Sequence, residues 1–150
     1  MFQNRSNLGV ILFTFLVLVI FACGGNGNEQ NKTTSSNPVD MENHPGAFTY
    51  KKLCASCHQS DGSGVSGLYP PISGTKMVNG EKAKLIDIIL NGLSGEIEVK
   101  GEIYNNVMPS HKHLTDQQVA DLLTYVKNNF DNEGGEVTAQ EVAEVRKSTK

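Results

Sequence analysis

The chain has 150 residues, enough for one domain and little more. Its formal net charge is −3 and it carries no basic block, which argues against nucleic acid as a partner. Apolar residues crowd at the start, Trp is absent and Gly numbers 15, so the remainder is short of core and is expected to need a staple.

Residues 1–22 read as an export signal. Arg5 gives a positive start and Leu8 to Ala22 is almost wholly apolar, a run too short for a span of ~20 residues. Ile20-Phe21-Ala22-Cys23 resembles a bacterial lipobox, which makes Cys23 the lipidation candidate. An uncleaved N-terminal anchor is the alternative; either puts the rest of the chain outside the cytoplasm. Residues 23–45 are polar and rich in Gly, Asn, Ser and Thr, the composition of a flexible tether, with His44 expected in solvent.

A domain is expected from about Gly46 to Phe130. Residues 47–57 suit a short helix, and a Gly/Pro-rich stretch follows from Gly62 to Gly74. Glu81 to Asn91 forms the next helix, apolar at Leu85, Ile86, Ile88, Ile89 and Leu90 and stopped by Gly92. Residues 97–104 read as a hairpin turning at Lys100-Gly101. The best-marked helix is 116–130: Thr115 and Gln118 make a capping box, and Val119, Leu122, Leu123, Val126 and Phe130 make one stripe. Beyond Gly134-Gly135, Thr138 and Glu141 make a second capping box. It opens a short helix within a C-terminal extension, 131–150.

Cys54-Ala-Ser-Cys57-His58 carries the chemistry. On a helical turn these positions share one face, so two thiols can form thioethers with one haem while the imidazole points at its iron. A thioredoxin-like pair would need a βαβ setting. A zinc knuckle would need further ligands, for which His111 and His113 are available. Gly62-Ser-Gly64-Val-Ser-Gly67 satisfies G-x-G-x-x-G, but Pro70-Pro71 follows it where a dinucleotide site needs a helix. It reads as a turn that lets the backbone pass close to the haem.

The stretch 46–130 resembles the class I mono-haem cytochromes c, particularly bacterial lipoprotein members. Gly46 and Tyr50 stand where that family keeps a Gly and an aromatic before the haem-binding cysteines. Leu122 and Tyr125 match positions on its last helix, which crosses the first. The resemblance implies an all-α fold of three main helices around covalent haem c, with a small hairpin and a tail helix. It makes His58 one axial ligand and Met108, followed by Pro109, the other. Met77 is the internal rival, and His111 and His113 read as surface residues. Pro70-Pro71-Ile72-Ser73-Gly74 resembles the loop whose proline carbonyl accepts from the ligating imidazole, with Pro70 the better match and Pro71 the alternative.

The implied function is one-electron transfer between redox proteins, with no catalysis of its own, at the outer face of a bacterial membrane. The alternatives are a haem sensor or peroxidase-like enzyme in which Met108 leaves the iron, and a non-haem interaction module. Residues 92–109 and 134–138 look like cytochrome domains associated with copper nitrite reductases and terminal oxidases. The haem slot is expected to be lined by Leu68, Ile72, Leu85, Ile89 and Val107, and Gly46 or Tyr50 to touch Leu122 or Tyr125.

Overall fold

A computed structural model describes residues 41–149 of the chain. The signal, Cys23 and most of the tether lie outside the described residues. In order the elements are α1 (Pro45–Leu53), α2 (Ala55–His58), α3 (Lys76–Asn79), α4 (Lys82–Asn91), β1 (Ile97–Val99), β2 (Glu102–Tyr104), α5 (Asp116–Lys127) and α6 (Ala139–Ser148). The two strands pair antiparallel, Glu98 opposite Ile103, as the only sheet among the described residues. The fold is helical with one small hairpin.

α1 begins inside the stretch expected to be tether. Pro45 occupies its first turn, and the His44 imidazole accepts a hydrogen bond from the Gly46 N–H at 3.1 Å. His44 also stacks on Tyr125, with ring centroids 6.4 Å apart, so the expectation of an ordinary solvated histidine is corrected. The helix expected over 47–57 is interrupted: Cys54 caps α1 with φ −113°, and α2 starts afresh behind it.

α1 crosses α5, and Gly46 lies at the crossing. A Cβ there would overlap the Asp121 carbonyl oxygen, so only glycine lets the two backbones approach this closely. Tyr50 packs beside the crossing, 5.8 Å from the Tyr125 ring and 4.8 Å from Phe130. Both capping boxes form, Thr115 with Gln118 on α5 and Thr138 with Glu141 on α6. α5 ends at Lys127, short of the expected residue 130, because Phe130 and Asp131 take left-handed φ of 57° and 56°.

Ile86, Leu90, Val119, Leu122, Leu123 and Val142 are the most deeply buried large side chains, so α4, α5 and α6 share one core. α6 is tied down further by Arg146, which donates to the Asp116 carboxylate at 2.7 Å and to the Lys112 and Leu114 carbonyls at 2.9 and 2.8 Å. Lys127 is buried, and its ammonium donates to the Val78 carbonyl at 3.0 Å, holding α3 against α5. Among the described residues no helix is long and apolar enough to cross a membrane.

Candidate haem site

Between the helices lies a cleft in two adjoining hollows whose empty space, open mouths included, is about 720 and 630 Å³. Both are bordered by Cys54, His58, Pro70, Leu93, Ile97 and Met108. The larger is walled by α3, α4 and α5, chiefly through Val78, Leu85, Ile89, Leu122 and Val126. Cys57, Tyr69 and Val107 border the smaller.

The donor groups fall along this cleft by local causes. Cys54 N–H and His58 N–H close successive turns, the first onto the Tyr50 carbonyl and the second onto the Cys54 carbonyl. Cys54 is therefore carried inward while Cys57 stays half-buried. Burial, with Cys57 beside it, pushes the Cys54 thiol up to about 11. Neither thiol is in a disulfide. Gln59 has φ 62°, and the Tyr50 hydroxyl donates to its carbonyl at 2.6 Å, turning the chain sharply after His58.

The His58 Nδ1 lies 2.9 Å from the Pro70 carbonyl oxygen. A carbonyl only accepts, so Nδ1 carries the hydrogen and Nε2 keeps its lone pair for a metal. Burial pulls the His58 pKa below the ordinary histidine value, against the opposing pull of the Pro70 bond. The ring is thus held neutral, the form that ligates. Gly64 makes the bond possible. It has φ 68°, and a Cβ there would overlap the Tyr69 carbonyl and sit 2.7 Å from the Pro70 oxygen.

Met108 borders both hollows, whereas its rival Met77 borders the larger. Its backbone exchanges two hydrogen bonds with Leu93, Met108 N–H to Leu93 O at 2.8 Å and Leu93 N–H to Met108 O at 3.0 Å.

Two expectations are corrected. Leu68, half exposed at 51%, lines neither hollow, whereas Val107 does border the smaller one, at its rim and 70% exposed. His111 is buried, not superficial, because its N–H bonds to the Ile89 carbonyl and turns the residue under the end of α4. Burial and the neighbouring His113 lower its pKa. α3, a single turn capped by Thr75, and the part its Val78 plays in the wall are not evident from the sequence pattern. A Thr three residues before a buried Val was the available signal.

Among the described residues no three His, Cys, Asp or Glu side chains gather to hold a bare metal ion, so the zinc-knuckle alternative lacks a ligand set. A flat apolar cofactor with its own iron fits instead. Two cysteines border the cleft, an imidazole keeps Nε2 free, and aliphatic side chains supply the walls.

Such a fold and site define a protein that binds haem covalently between helices. The model of the cytochrome c family matches residues 44–130, and the chain belongs to that family. The cytochrome c family implies covalently bound haem c, and the chain spans less than two thirds of the length of the Thermus thermophilus relatives it matches, 64% and 57%. Over 85 residues it is 41% identical to cytochrome c-552 of Thermus thermophilus, covering 54% of this chain and 64% of that protein. Over 89 residues it is 30% identical to cytochrome c-551 of Bacillus subtilis, covering 59% of this chain and 77% of that one. It is also 37% identical over 120 residues to the cytochrome c subunit of the quinone alcohol dehydrogenase of Gluconacetobacter polyoxogenes, covering 77% of this chain but 25% of the subunit.

Proposed function

We propose that the chain passes single electrons between redox proteins at the outer face of a bacterial membrane, with His58 and Met108 as the axial ligands. The observation that carries this reading is the cleft, where Met108, from a distant part of the sequence, borders the same apolar space as Cys54 and His58. When bound, the haem supplies a one-electron iron couple. Cys54 and Cys57 anchor it, and Pro70 orients His58 and makes its ring the stronger donor. Met108 brings a thioether, a weak donor that favours ferrous iron and so raises the reduction potential. Leu85, Ile89 and Leu122 exclude water and lower the reorganisation that accompanies each transfer.

Cys23 carries the lipid in this reading, and residues 24–40 tether the domain near the membrane, which raises its effective concentration toward membrane-bound partners. Those partners are redox proteins: a copper nitrite reductase, a terminal oxidase, or a dehydrogenase of the kind that the alcohol and fructose dehydrogenase subunits serve. Met108→Ala tests the axial assignment. Covalent haem should remain, the potential should fall, and ferrous protein should bind carbon monoxide that the wild type resists. If wild type binds carbon monoxide at once, the open-site sensor reading replaces this one. Anchoring is tested by mass spectrometry of the mature membrane fraction; an unmodified Cys23 there would refute it.

A further inference from the structure

We infer that Gly92 is a positioning residue for the sixth iron ligand: only glycine at the end of α4 lets the Met108 strand dock where its sulfur reaches the cleft. The inference rests on the reading of Met108 as that ligand.

Gly92 is the C-cap of α4, with φ 80°, and its N–H donates to the Ile88 carbonyl at 2.8 Å. A helix often ends on a glycine for its left-handed φ alone. At this helix end a second demand operates. A Cβ on Gly92 would lie 2.5 Å from the Met108 carbonyl oxygen, 3.0 Å from the Ser110 nitrogen and 3.1 Å from the Pro109 carbonyl carbon. All three neighbours are backbone atoms, so none can rotate away. The chain from Met108 to Ser110 therefore lies flat across the face of residue 92.

The contact is fastened on both sides. Leu93 and Met108 exchange their two hydrogen bonds immediately after Gly92. Beyond it, the Ser110 hydroxyl donates to the Leu90 carbonyl at 2.6 Å, and the His111 N–H donates to the Ile89 carbonyl at 2.9 Å. These bonds use carbonyls that the last turn of α4 leaves without helical partners. The residues just before Met108 are less secured: Asn105, Asn106 and Val107 are exposed, with the Asn106 amide donating to the Leu68 carbonyl at 3.1 Å. The end of α4 is thus the platform for Met108. A methyl group at 92 would lift the strand, break the Leu93 pairing and withdraw the sulfur.

The test compares haem-loaded Gly92→Ala, Gly101→Ala and Met108→Ala with wild type. Gly101 also has a left-handed φ, 83°, but open space around its Cβ position, so alanine there adds backbone strain without a collision. Three readouts serve: carbon monoxide affinity of the ferrous form, the thioether-to-iron absorption band of the ferric form, and reduction potential. Gly92→Ala should bind carbon monoxide about tenfold more tightly or better, as the population with an open position rises. Its thioether band should weaken and its potential fall, while Gly101→Ala matches wild type. Wild-type behaviour in Gly92→Ala, with Met108→Ala open, overturns the inference and leaves the ligand assignment standing. Equal shifts in Gly92→Ala and Gly101→Ala overturn it too, because strain alone then accounts for the effect. Wild-type behaviour in Met108→Ala overturns the ligand assignment itself. If Gly92→Ala fails to accumulate as holoprotein, Leu93→Pro removes one of the two bridge hydrogen bonds while keeping glycine at 92. The same three shifts are expected there, and their absence overturns the inference.

Discussion

His58 and Met108 approach the cleft from regions built on different principles. His58 follows Cys57 within one helical turn, and its ring is fixed by Pro70, twelve residues on, inside a loop that closes on itself. Met108 belongs to no element. Its place is set by the end of α4 through Leu93 and Gly92, and the loop beyond it is clamped by Arg146 from α6. One side is assembled from neighbours in sequence, the other from three separate segments. Each still depends on a glycine that admits a carbonyl, Gly64 beneath Pro70 and Gly92 beneath Met108.

This contrast breaks if the two glycines behave alike. Gly64→Ala should have the largest effect, a loss of about 3 kcal/mol from a forbidden φ combined with a backbone collision. By displacing the Pro70 carbonyl it should weaken the bond to His58 Nδ1 and make the imidazole a poorer donor to ferric iron. The reduction potential should then rise, opposite in sign to the fall expected for Gly92→Ala. Denaturant titration and potentiometry measure both, and potentials moving in the same direction would show that the two glycines support their ligands in the same way.

Arg146→Met should come next, at about 1–2 kcal/mol, since three charge-assisted bonds are lost at a partly exposed site. Hydrogen exchange should quicken around residues 112–116 and stay unchanged around Gly64 and Pro70. Equal quickening on both sides would show the clamp to be global.

His111 should give the smallest effect. Its pKa in the folded chain lies below the ordinary histidine value, first because it is buried and second because His113 adjoins it. Between the folded and unfolded values the unfolded chain binds more protons, so stability is full above the unfolded pKa and declines as pH falls toward the folded one. His111→Asn should flatten that decline below about pH 6.5. A stability–pH curve unchanged by the substitution would assign the decline to other groups.

The same division explains what could be read in the sequence. The helix from Asp116, its capping box, the tail helix and the hairpin each rest on residues within a few positions of one another, and the pattern names them directly. The motif from Cys54 to His58 is legible for the same reason. Burial of His111, exposure of Leu68 and Val107, and the stacking of His44 on Tyr125 depend on chain paths that only tertiary packing decides. A three-residue apolar pattern cannot reveal which loop faces the cleft. Gly92 was legible as a helix stop; its contact with Met108 was not, because the partner lies in another segment.

The unequal depth of the two cysteines bears on the order of events in biogenesis. Cys54 is 8% exposed behind α1, and its thiol is protonated at any ordinary pH, so it is a poor nucleophile once the domain has closed. Cys57, half-buried at the rim, suffers no such enclosure. The bond to Cys54 therefore forms more readily on an open chain, before Gly46 and Tyr50 settle against α5. Haem attachment precedes folding in this sequence of steps, and the crossing of α1 with α5 then acts as a seal over a finished bond.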